Sequence, residues 1–339
     1  MKAFVTGVAG FIGFHTVRAL LAQGVEVLGV DNLNPYYDLR LKRARLALLK
    51  RTSGFSFYRT DLTNRDEIGS IVSANKDIAL IVHLAAQAGV RHSLVDPYCY
   101  IDSNVTGHLV ILEAARRLPN LRHLVYASSS SVYGLNKDLP FKETDRTDSP
   151  SSVYAATKRS AELLSFCYSH IHGIPQTGLR FFTVYGPWGR PDMAYYKFAE
   201  AIVTGQPIVL YNKGVLRRDF TYIDDIVTGV LSIVHRPPDN GASRILNLGN
   251  NRHEYVRDLL TILQRELGRE AIVQDAARPM TDVEDTWACI DSVASLSGWR
   301  PTTPIEVGVP RFVKWFVEFR SRPHAVDEAS EPGAEPSNG

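Results

Sequence analysis

The sequence predicts an α/β fold in which a doubly wound parallel sheet is joined to a smaller α/β carboxyl-terminal lobe. Two observations predict it. Short apolar segments alternate with longer segments of helical periodicity up to about Thr183, and beyond that residue the rhythm changes to longer irregular stretches. Strands that alternate with helices form right-handed crossovers, so the strands lie parallel in one sheet with helices on both faces.

The individual elements follow from length and periodicity. Buried strands are predicted at 3–6, 25–30, 78–83 and 123–128, and amphipathic helices at 14–23, 104–117 and 255–267. We expect residues 1–183 to form the sheet domain, with some later segments returning to it, and residues 184–320 to form the smaller lobe. From Ser321 to 339 the chain is rich in Pro, Gly, Ser and acidic residues, a composition that predicts a disordered tail.

Composition excludes several kinds of partner. The 339 residues are 45% hydrophobic, and 38 basic residues nearly balance 36 acidic ones, so no global charge favours nucleic acid or an anionic membrane. No apolar run is long enough to span a bilayer, and the chain starts directly with a strand-like segment. Cys99, Cys167 and Cys289 lack disulfide or metal-site spacing. We expect a cytoplasmic protein without a metal.

A glycine-rich turn near the amino terminus predicts a dinucleotide site. Gly7, Gly10 and Gly13 follow the first strand and open the first helix, with the spacing G-x-x-G-x-x-G. Such a turn lets the backbone approach a pyrophosphate at the amino terminus of a helix, as in Rossmann-type folds. Asp31 ends the next strand, where a carboxylate binds ribose hydroxyls and repels a 2′-phosphate. NAD is therefore the predicted cofactor, in preference to NADP.

A basic run in the following helix leaves one alternative open. Arg40, Lys42, Arg43 and Arg45 could together reach a phosphate, which would suit NADP. Charge runs in helices more often form a solvated face, and we expect that role here.

A tyrosine, a lysine and a serine run carry the predicted chemistry. Tyr154 and Lys158 lie four residues apart, which places both on one helix face. An ammonium group beside a phenol favours the phenolate, so we expect a lowered pKa for Tyr154 and a role as base. The run 128–131 follows the apolar strand that begins at His123, and so delivers hydroxyls to the carboxyl edge of the sheet, where ligands bind.

An ordered series of motifs resembles a known family. The segments are 6–13, 31–34, 61–62, 83–91, Asn104, 128–134, Tyr154 with Lys158, 180–186 and 218–225. Over nearly the whole chain up to about Phe316, they resemble the extended short-chain dehydrogenases/reductases of the NAD-dependent epimerase/dehydratase type, and within these the UDP-glucuronate 4-epimerases. The resemblance implies an isomerase that inverts C4 of a UDP-sugar while NAD stays bound, and a homodimer formed through helices 104–117 and 154–172.

The resemblance also implies roles for individual residues. Ser129, Tyr154 and Lys158 take the catalytic positions. The implied cofactor residues are Gly7, Gly10, Phe11, Ile12, Gly13, Asp31, Asn32, Asp61, Leu62, Leu84, Ala85, Ala86, Gln87, Asn104, Tyr154 and Lys158. The implied substrate residues are Arg91, Ser129, Ser130, Ser131, Thr183, Arg190, Arg218 and Arg278.

Two of these assignments concern the diphosphate. Arg218 resembles the arginine that binds it, which suits a double donor, and Arg217 is then the surface member of the pair. Arg278 is implied as a second phosphate ligand. The stretch that follows Arg278 departs from the resembling proteins, because Cys289 stands where they usually have Asp.

Two positions narrow the reaction. Related dehydratases and decarboxylases have Glu where this chain has Ser131, and many relatives that act on neutral sugars have Asn where it has Thr183. In the resembling glucuronate enzymes the threonine and the serine hydroxyls contact the sugar carboxylate. The prediction is interconversion of UDP-glucuronate and UDP-galacturonate. The alternatives are 4-epimerisation of a neutral UDP-sugar such as UDP-glucose, UDP-glucuronate decarboxylation, and a non-catalytic NAD-binding regulator.

Overall fold

The computed structural model describes residues 1–277 and 284–321. The strands in these ranges are β1 (Lys2–Thr6), β2 (Glu26–Asp31), β3 (Phe55–Arg59), β4 (Ile78–His83), β5 (His123–Ser129), β6 (Gln176–Phe181), β7 (Thr183–Tyr185), β8 (Ile208–Tyr211), β9 (Arg217–Arg218), β10 (Phe220–Tyr222), β11 (Ser243–Leu248), β12 (Glu254–Tyr255) and β13 (Val273–Ala276). The helices are α1 (Phe11–Ala22), α2 (Leu39–Lys50), α3 (Arg65–Ala74), α4 (Tyr98–Tyr100), α5 (Gly107–Ala115), α6 (Val153–His172), α7 (Ala194–Thr204), α8 (Ile223–Val234), α9 (Val256–Leu267), α10 (Asp291–Ser297) and α11 (Ile305–Arg320).

Seven parallel strands form the central sheet in the order β11-β6-β5-β4-β1-β2-β3. The predicted α/β class and parallel sheet are confirmed. The chain runs outward from β1 through β2 to β3, then crosses to β4 on the other side of β1. At such a reversal the loops after neighbouring strands diverge and leave a crevice at the carboxyl ends. The switch between β1 and β4 therefore positions the site.

Two apolar clusters hold helices to the two faces of this sheet. One continues from Val5 and Phe14 into the second half of the chain, reaching Phe312. The other packs α3 and α5 against the opposite face around Ile81 and Ile111. Both faces of the sheet are thus covered, as its nearly continuous apolar strands require.

Smaller elements flank the carboxyl edge of the sheet. Strand pairs β7–β10 and β8–β13 are parallel, and β9–β12 is antiparallel. Helices α7, α9 and α11 pack against one another beside them, while α8 packs on α1 and β11 completes the large sheet. Arg278 and residues 322–339, which include all but the first residue of the expected tail, lie outside the described residues.

The expectation of a solvated basic face on α2 is wrong for two of its four members. Arg40 and Arg43 are exposed, but Lys42 is buried and Arg45 is fully buried. Arg45 lies four residues after Leu41 and four before Leu49, both buried, so it shares their stripe of the helix. The stretch 101–106 between α4 and α5 is a π-helical turn, a feature often found at functional sites.

No helix among the described residues combines the length and the apolar character required to cross a membrane.

Candidate functional site

A cavity of about 850 Å³ opens at the carboxyl ends of β1, β4, β5 and β6. All the cofactor and substrate residues predicted from the sequence line it, with two exceptions. Asn104 does not reach the cavity, and Arg278 lies outside the described residues. The sheet edge contributes one wall, and side chains from α7, β8 and the 181–194 segment contribute the other.

The glycine turn has the close backbone packing that a dinucleotide needs. A Cβ atom on Gly7 would stand 2.7 Å from the backbone nitrogen of Ala85, and Gly7 has a φ of +75°. A Cβ atom on Gly13 would overlap the Gly7 carbonyl oxygen. Side chains at these positions would push apart backbone segments that pack closely before the amino terminus of α1, the place where backbone N–H groups bind a pyrophosphate in such folds. The residues present therefore fit the phosphates of a dinucleotide.

Asp31 is anchored and still able to accept hydrogen bonds. Its carboxylate accepts the backbone N–H groups of Ala9 at 3.0 Å and Leu33 at 2.9 Å. Each carboxylate oxygen can accept more than one hydrogen bond, so acceptor capacity remains toward the cavity that Asp31 lines. This suits the ribose hydroxyls of NAD.

Asp61 and Asn32 form a second polar group nearby. The Asn32 amide donates to Asp61 at 2.7 Å, and Thr63 donates to Asp61 through its N–H and its hydroxyl. Burial opposes ionisation of Asp61, but these hydrogen bonds hold its pKa below the ordinary value. Asp61 thus presents a carboxylate to the cavity.

Asn104 is hydrogen-bonded within the protein, and its predicted role at the cofactor stays a prediction. Its side chain accepts the backbone N–H of Gln87 at 2.8 Å, and donates to the Gln87 carbonyl oxygen and to the Thr157 hydroxyl, each at 3.0 Å. These bonds engage both the oxygen and the nitrogen of the Asn104 side-chain amide, which lies in the π-helical turn. Asn104 therefore fixes the loop after β4 against α6.

The predicted catalytic residues come together at the carboxyl end of β5. Ser129 ends β5, and Tyr154 and Lys158 lie in the first two turns of α6. The Ser152 hydroxyl caps that helix by accepting the N–H of Ala155 at 3.1 Å. Lys158 donates from Nζ to the Ala127 carbonyl oxygen at 2.9 Å. The hydroxyl, the phenol and the ammonium group thus share one end of the cavity.

The expected lowering of the Tyr154 pKa by Lys158 is not found. Burial raises the pKa of Tyr154, while hydrogen bonding with Ser129 and the charge of Arg190 act to lower it. Burial and Arg190 lower the pKa of Lys158 to about 8. The physical reason is that desolvation disfavours each charged form.

Glu162 is a residue that the sequence reasoning missed. It lies eight residues after Tyr154, on the same helix face, and pairs with Arg180 of β6 through two bonds of 2.8 and 2.9 Å. The Ser128 hydroxyl donates to it at 2.6 Å. Burial opposes ionisation, but Arg180 holds the pKa of Glu162 below its ordinary value. This buried ion pair holds α6 against the sheet.

The opposite wall of the cavity carries a second ion pair, which is part-buried. Arg190 forms a forked pair with Asp192, at 3.0 and 2.5 Å, and the Tyr36 hydroxyl donates to Asp192 at 3.3 Å. Burial raises and Arg190 lowers the pKa of Asp192, with a net fall below its ordinary value. Thr183 stands on β7 with its side chain part-exposed to the same cavity. Asp192 had not been singled out from the sequence.

The remaining arginines differ in their surroundings. Arg217 forms a forked pair with Asp285 at 2.8 and 2.6 Å. Arg218 lines the cavity and donates to the carbonyl oxygens of Arg217 and Glu284. Arg91 lies over the ring of Tyr211, 4.9 Å from its centroid. Of the pair on β9, only Arg218 faces the cavity.

Within residues 1–277 and 284–321, one group of side chains has donor atoms close enough together to hold a metal ion. Donor atoms of His92, Asp96 and Cys99 lie within 4.8 Å of one another. The Asp96 carboxylate accepts the N–H of Cys99 at 3.4 Å, and the Cys99 thiol donates to the Asp96 carbonyl oxygen at 3.2 Å. These two hydrogen bonds belong to the start of α4, and they explain why the three side chains lie close together.

Comparison with known proteins gives one consistent relationship. Residues 3–249 match the model of the NAD dependent epimerase/dehydratase family. A probable UDP-glucuronate 4-epimerase of Rhizobium meliloti (strain 1021) is 40% identical over 342 residues, covering 96% of this chain and 100% of that protein. UDP-glucuronate 4-epimerase 4 of Arabidopsis thaliana is 43% identical, covering 95% of this chain and 76% of that protein.

A solved structure agrees with this relationship. The crystal structure of UDP-glucuronic acid 4-epimerase from Bacillus cereus, in complex with UDP-glucuronic acid and NAD, is similar with a TM-score of 0.88 and 32% sequence identity. The similarity covers 94% of this chain and 100% of that one.

Proposed function

Because the chain belongs to the NAD dependent epimerase/dehydratase family, we propose that it interconverts UDP-glucuronate and UDP-galacturonate by epimerisation at C4. One observation carries the proposal: the glycine turn, the Ser129–Tyr154–Lys158 group and the Thr183 and serine hydroxyls all open on one cavity. The names of the similar proteins favour the same reaction. We further propose that residues 1–183 mainly hold NAD and that 184–320 mainly hold the UDP-sugar.

The chain's own residues would bind and move protons. The glycine turn and Asp31 would hold NAD, which would supply a reversible hydride acceptor for C4. Tyr154 as phenolate removes the proton of the 4-hydroxyl, and Ser129 hydrogen-bonds the same oxygen. The Ala127 carbonyl oxygen accepts a hydrogen bond from Lys158 and so holds this ammonium group one helical turn from Tyr154, while Ser129 and Arg190 favour the phenolate. After the 4-keto sugar has turned its other face, Tyr154 gives the proton back.

A uronic acid requires more than proton transfer. Its 4-keto form is a β-keto acid, which loses carbon dioxide when the C5–C6 bond aligns with the carbonyl π system. Thr183 and the hydroxyls of 129–131 would hold the carboxylate, and Arg190 adds a positive charge on the same side. Position then decides the product, because an oriented reaction is sensitive to small displacements.

The proposal is tested by product analysis. Purified protein should convert UDP-glucuronate to UDP-galacturonate without added cofactor, and faster than it converts UDP-glucose in a parallel assay. Tyr154→Phe should abolish conversion and keep bound NAD, because only the base is lost, whereas Tyr58→Phe on exposed β3 should remain active. A UDP-pentose as the main product, a preference for UDP-glucose, or no turnover would each contradict the proposal.

We also propose a homodimer in the cytoplasm. Apolar side chains are exposed along α6 and just before α5, including Leu163, Phe166, Ile171, Tyr98 and Ile101. Exposed apolar side chains on elements that contact one another support association between copies of the chain. All three cysteines are free thiols, which agrees with a reducing compartment.

A further inference from the structure

Arg45 is a buried cation whose hydrogen-bond partners carry no charge. Its side chain is fully buried, and it donates to the carbonyl oxygens of Ala9, Trp188 and Gly189 and to the hydroxyl of Tyr37. Its Nε atom has no partner among the described residues. A buried charge without a counter-ion is costly. The free-energy cost of burying this charge indicates that the protein requires the fixed hydrogen-bond directions of the planar guanidinium group.

These hydrogen bonds join two segments far apart in the sequence. Ala9 lies inside the glycine turn, 2.8 Å from one terminal nitrogen of Arg45. Trp188 and Gly189 lie directly before Arg190, and their carbonyl oxygens are 2.5 and 3.2 Å from the other terminal nitrogen. One rigid guanidinium thus spans the cofactor turn and the loop that carries Arg190.

The loop itself needs such support. Trp188 has a φ of +63°, a left-handed conformation that costs about 1–2 kcal/mol for a residue with a side chain. Its ring packs against Phe14 of α1 at 5.3 Å, and the His15 side chain meets the Pro187 carbonyl oxygen at 3.0 Å. Arg45 fixes the directions of the Trp188 and Gly189 carbonyl groups, which come directly after Pro187.

Arg190, the next residue, acts at the reaction centre. It lines the cavity, and its charge lowers the pKa of both Tyr154 and Lys158. We propose that Arg45 is a positioning residue: it fixes the Arg190 loop to the glycine turn, and so fixes where the sugar carboxylate is held relative to the cofactor. This inference rests on the proposed function and adds a residue that governs its product.

Loss of this positioning should change which product forms. Hydride removal at C4 gives the β-keto acid. If the carboxylate moves so that the C5–C6 bond aligns with the C4 carbonyl, that bond breaks and its electron pair forms the C4–C5 enolate. Carbon dioxide leaves, C5 takes up a proton, and the hydride returns to C4. The product is then a UDP-pentose in place of UDP-galacturonate.

The test compares Arg45→Lys and Arg45→Met with a control, Arg43→Met, on the exposed side of the same helix. Products from UDP-glucuronate are separated, and amide hydrogen exchange is measured in peptides that cover 7–11 and 186–192. Lysine keeps the buried charge but cannot span both segments. We expect both Arg45 variants to raise the UDP-pentose fraction by about tenfold or more, since displacements of about 1 Å change oriented reactions by at least that order.

Hydrogen exchange separates this inference from the proposed function. In both Arg45 variants, hydrogen exchange should accelerate in 7–11 and 186–192 together. In Arg43→Met it should accelerate in neither segment. If the wild type makes no UDP-galacturonate, the proposed function fails, while the exchange data still test the link. The inference would be overturned if both Arg45 variants fold and bind NAD but show the product ratio and the hydrogen-exchange rates of the wild type. So would failure of both variants to fold with NAD, because Arg45 would then serve the fold as a whole.

Discussion

At the scale of single residues, Arg190 and Asp192 act in opposite directions on the same phenol. Arg190 lowers the pKa of Tyr154, and Asp192 raises it. Burial, the larger cause, keeps that pKa above its ordinary value. The base is therefore under the control of two charges on the wall opposite α6, and these can be changed one at a time.

This opposition predicts opposite pH effects. Arg190→Gln removes a positive charge that lowers the pKa of both Tyr154 and Lys158, so the whole profile of kcat against pH should move to higher pH. Asp192→Asn removes the charge that raises the pKa of Tyr154, so the acid limb should move to lower pH. Initial rates across a pH series measure both. Movement of the two profiles in the same direction would contradict this account.

Residue identities were easier to predict from sequence than residue environments. The glycines, Tyr154 and Lys158 depend on local spacing, and the structure brings them to one cavity. The burial of Arg45 depends on the stripe it shares with Leu41 and Leu49, a signal that was present in the helical period. Asp192 stands only two residues from its partner Arg190, but the effect of both charges on Tyr154 depends on a wall formed by distant chain segments, which no local pattern reveals.

At the scale of elements, α6 carries the reaction and its own anchor on one face. Tyr154, Lys158 and Glu162 follow at intervals of four residues, so they lie one above another. Glu162 meets Arg180 of β6 and Ser128 of β5. The distance from the phenol to the sheet edge is thus set by a buried ion pair two turns along the helix.

Breaking this pair should cost stability. In Glu162→Gln the Arg180 charge stays buried without its counter-ion, so the free energy of unfolding should fall by about 3–5 kcal/mol. Urea denaturation of the NAD-loaded protein measures it. Asp148→Asn breaks an exposed pair with Arg146 and should cost less than about 1 kcal/mol. Equal effects of the two substitutions would contradict the role assigned to Glu162.

The same pair has a defined pH dependence. The folded pKa of Glu162 is depressed, so its contribution is present above the ordinary carboxyl range and is lost as pH falls through the folded value. The wild type should therefore lose stability on acidification more steeply than Glu162→Gln, in the same urea series.

Strand prediction succeeded where strands are buried on both sides. The predicted segments coincide with β1, β2, β4 and β5 to within one residue at each end. β3 was not singled out because it is an edge strand with alternating, mostly exposed residues, so it lacks the continuous apolar run of its neighbours. The π-helical turn was also not predicted, since its register depends on the contacts of Asn104 with Gln87 and Thr157.

At the scale of the whole molecule, the cavity lies between the sheet edge and the smaller elements. The glycine turn and the Arg190 loop lie in distant parts of the sequence, with His15 and Pro187 172 residues apart, yet Arg45, His15 and Phe14 bring them into contact. The sequence could predict that a smaller lobe follows the sheet. It could not predict this junction, because the contacts join main-chain carbonyls whose directions follow from the assembled fold.

The outer face of α6 gives the prediction for the assembled protein. Leu163 and Phe166 are exposed on the described surface, whereas Tyr154 and Lys158 face the cavity. Phe166→Glu places a charge in the proposed dimer interface and should convert a dimer into a monomer with NAD still bound, as measured by light scattering during size-exclusion chromatography. Val317→Glu on α11 changes an equally apolar, exposed position elsewhere and should stay dimeric. A monomeric wild type, or a dimer that survives Phe166→Glu, would contradict the interface, because a buried unpaired carboxylate is too costly to retain.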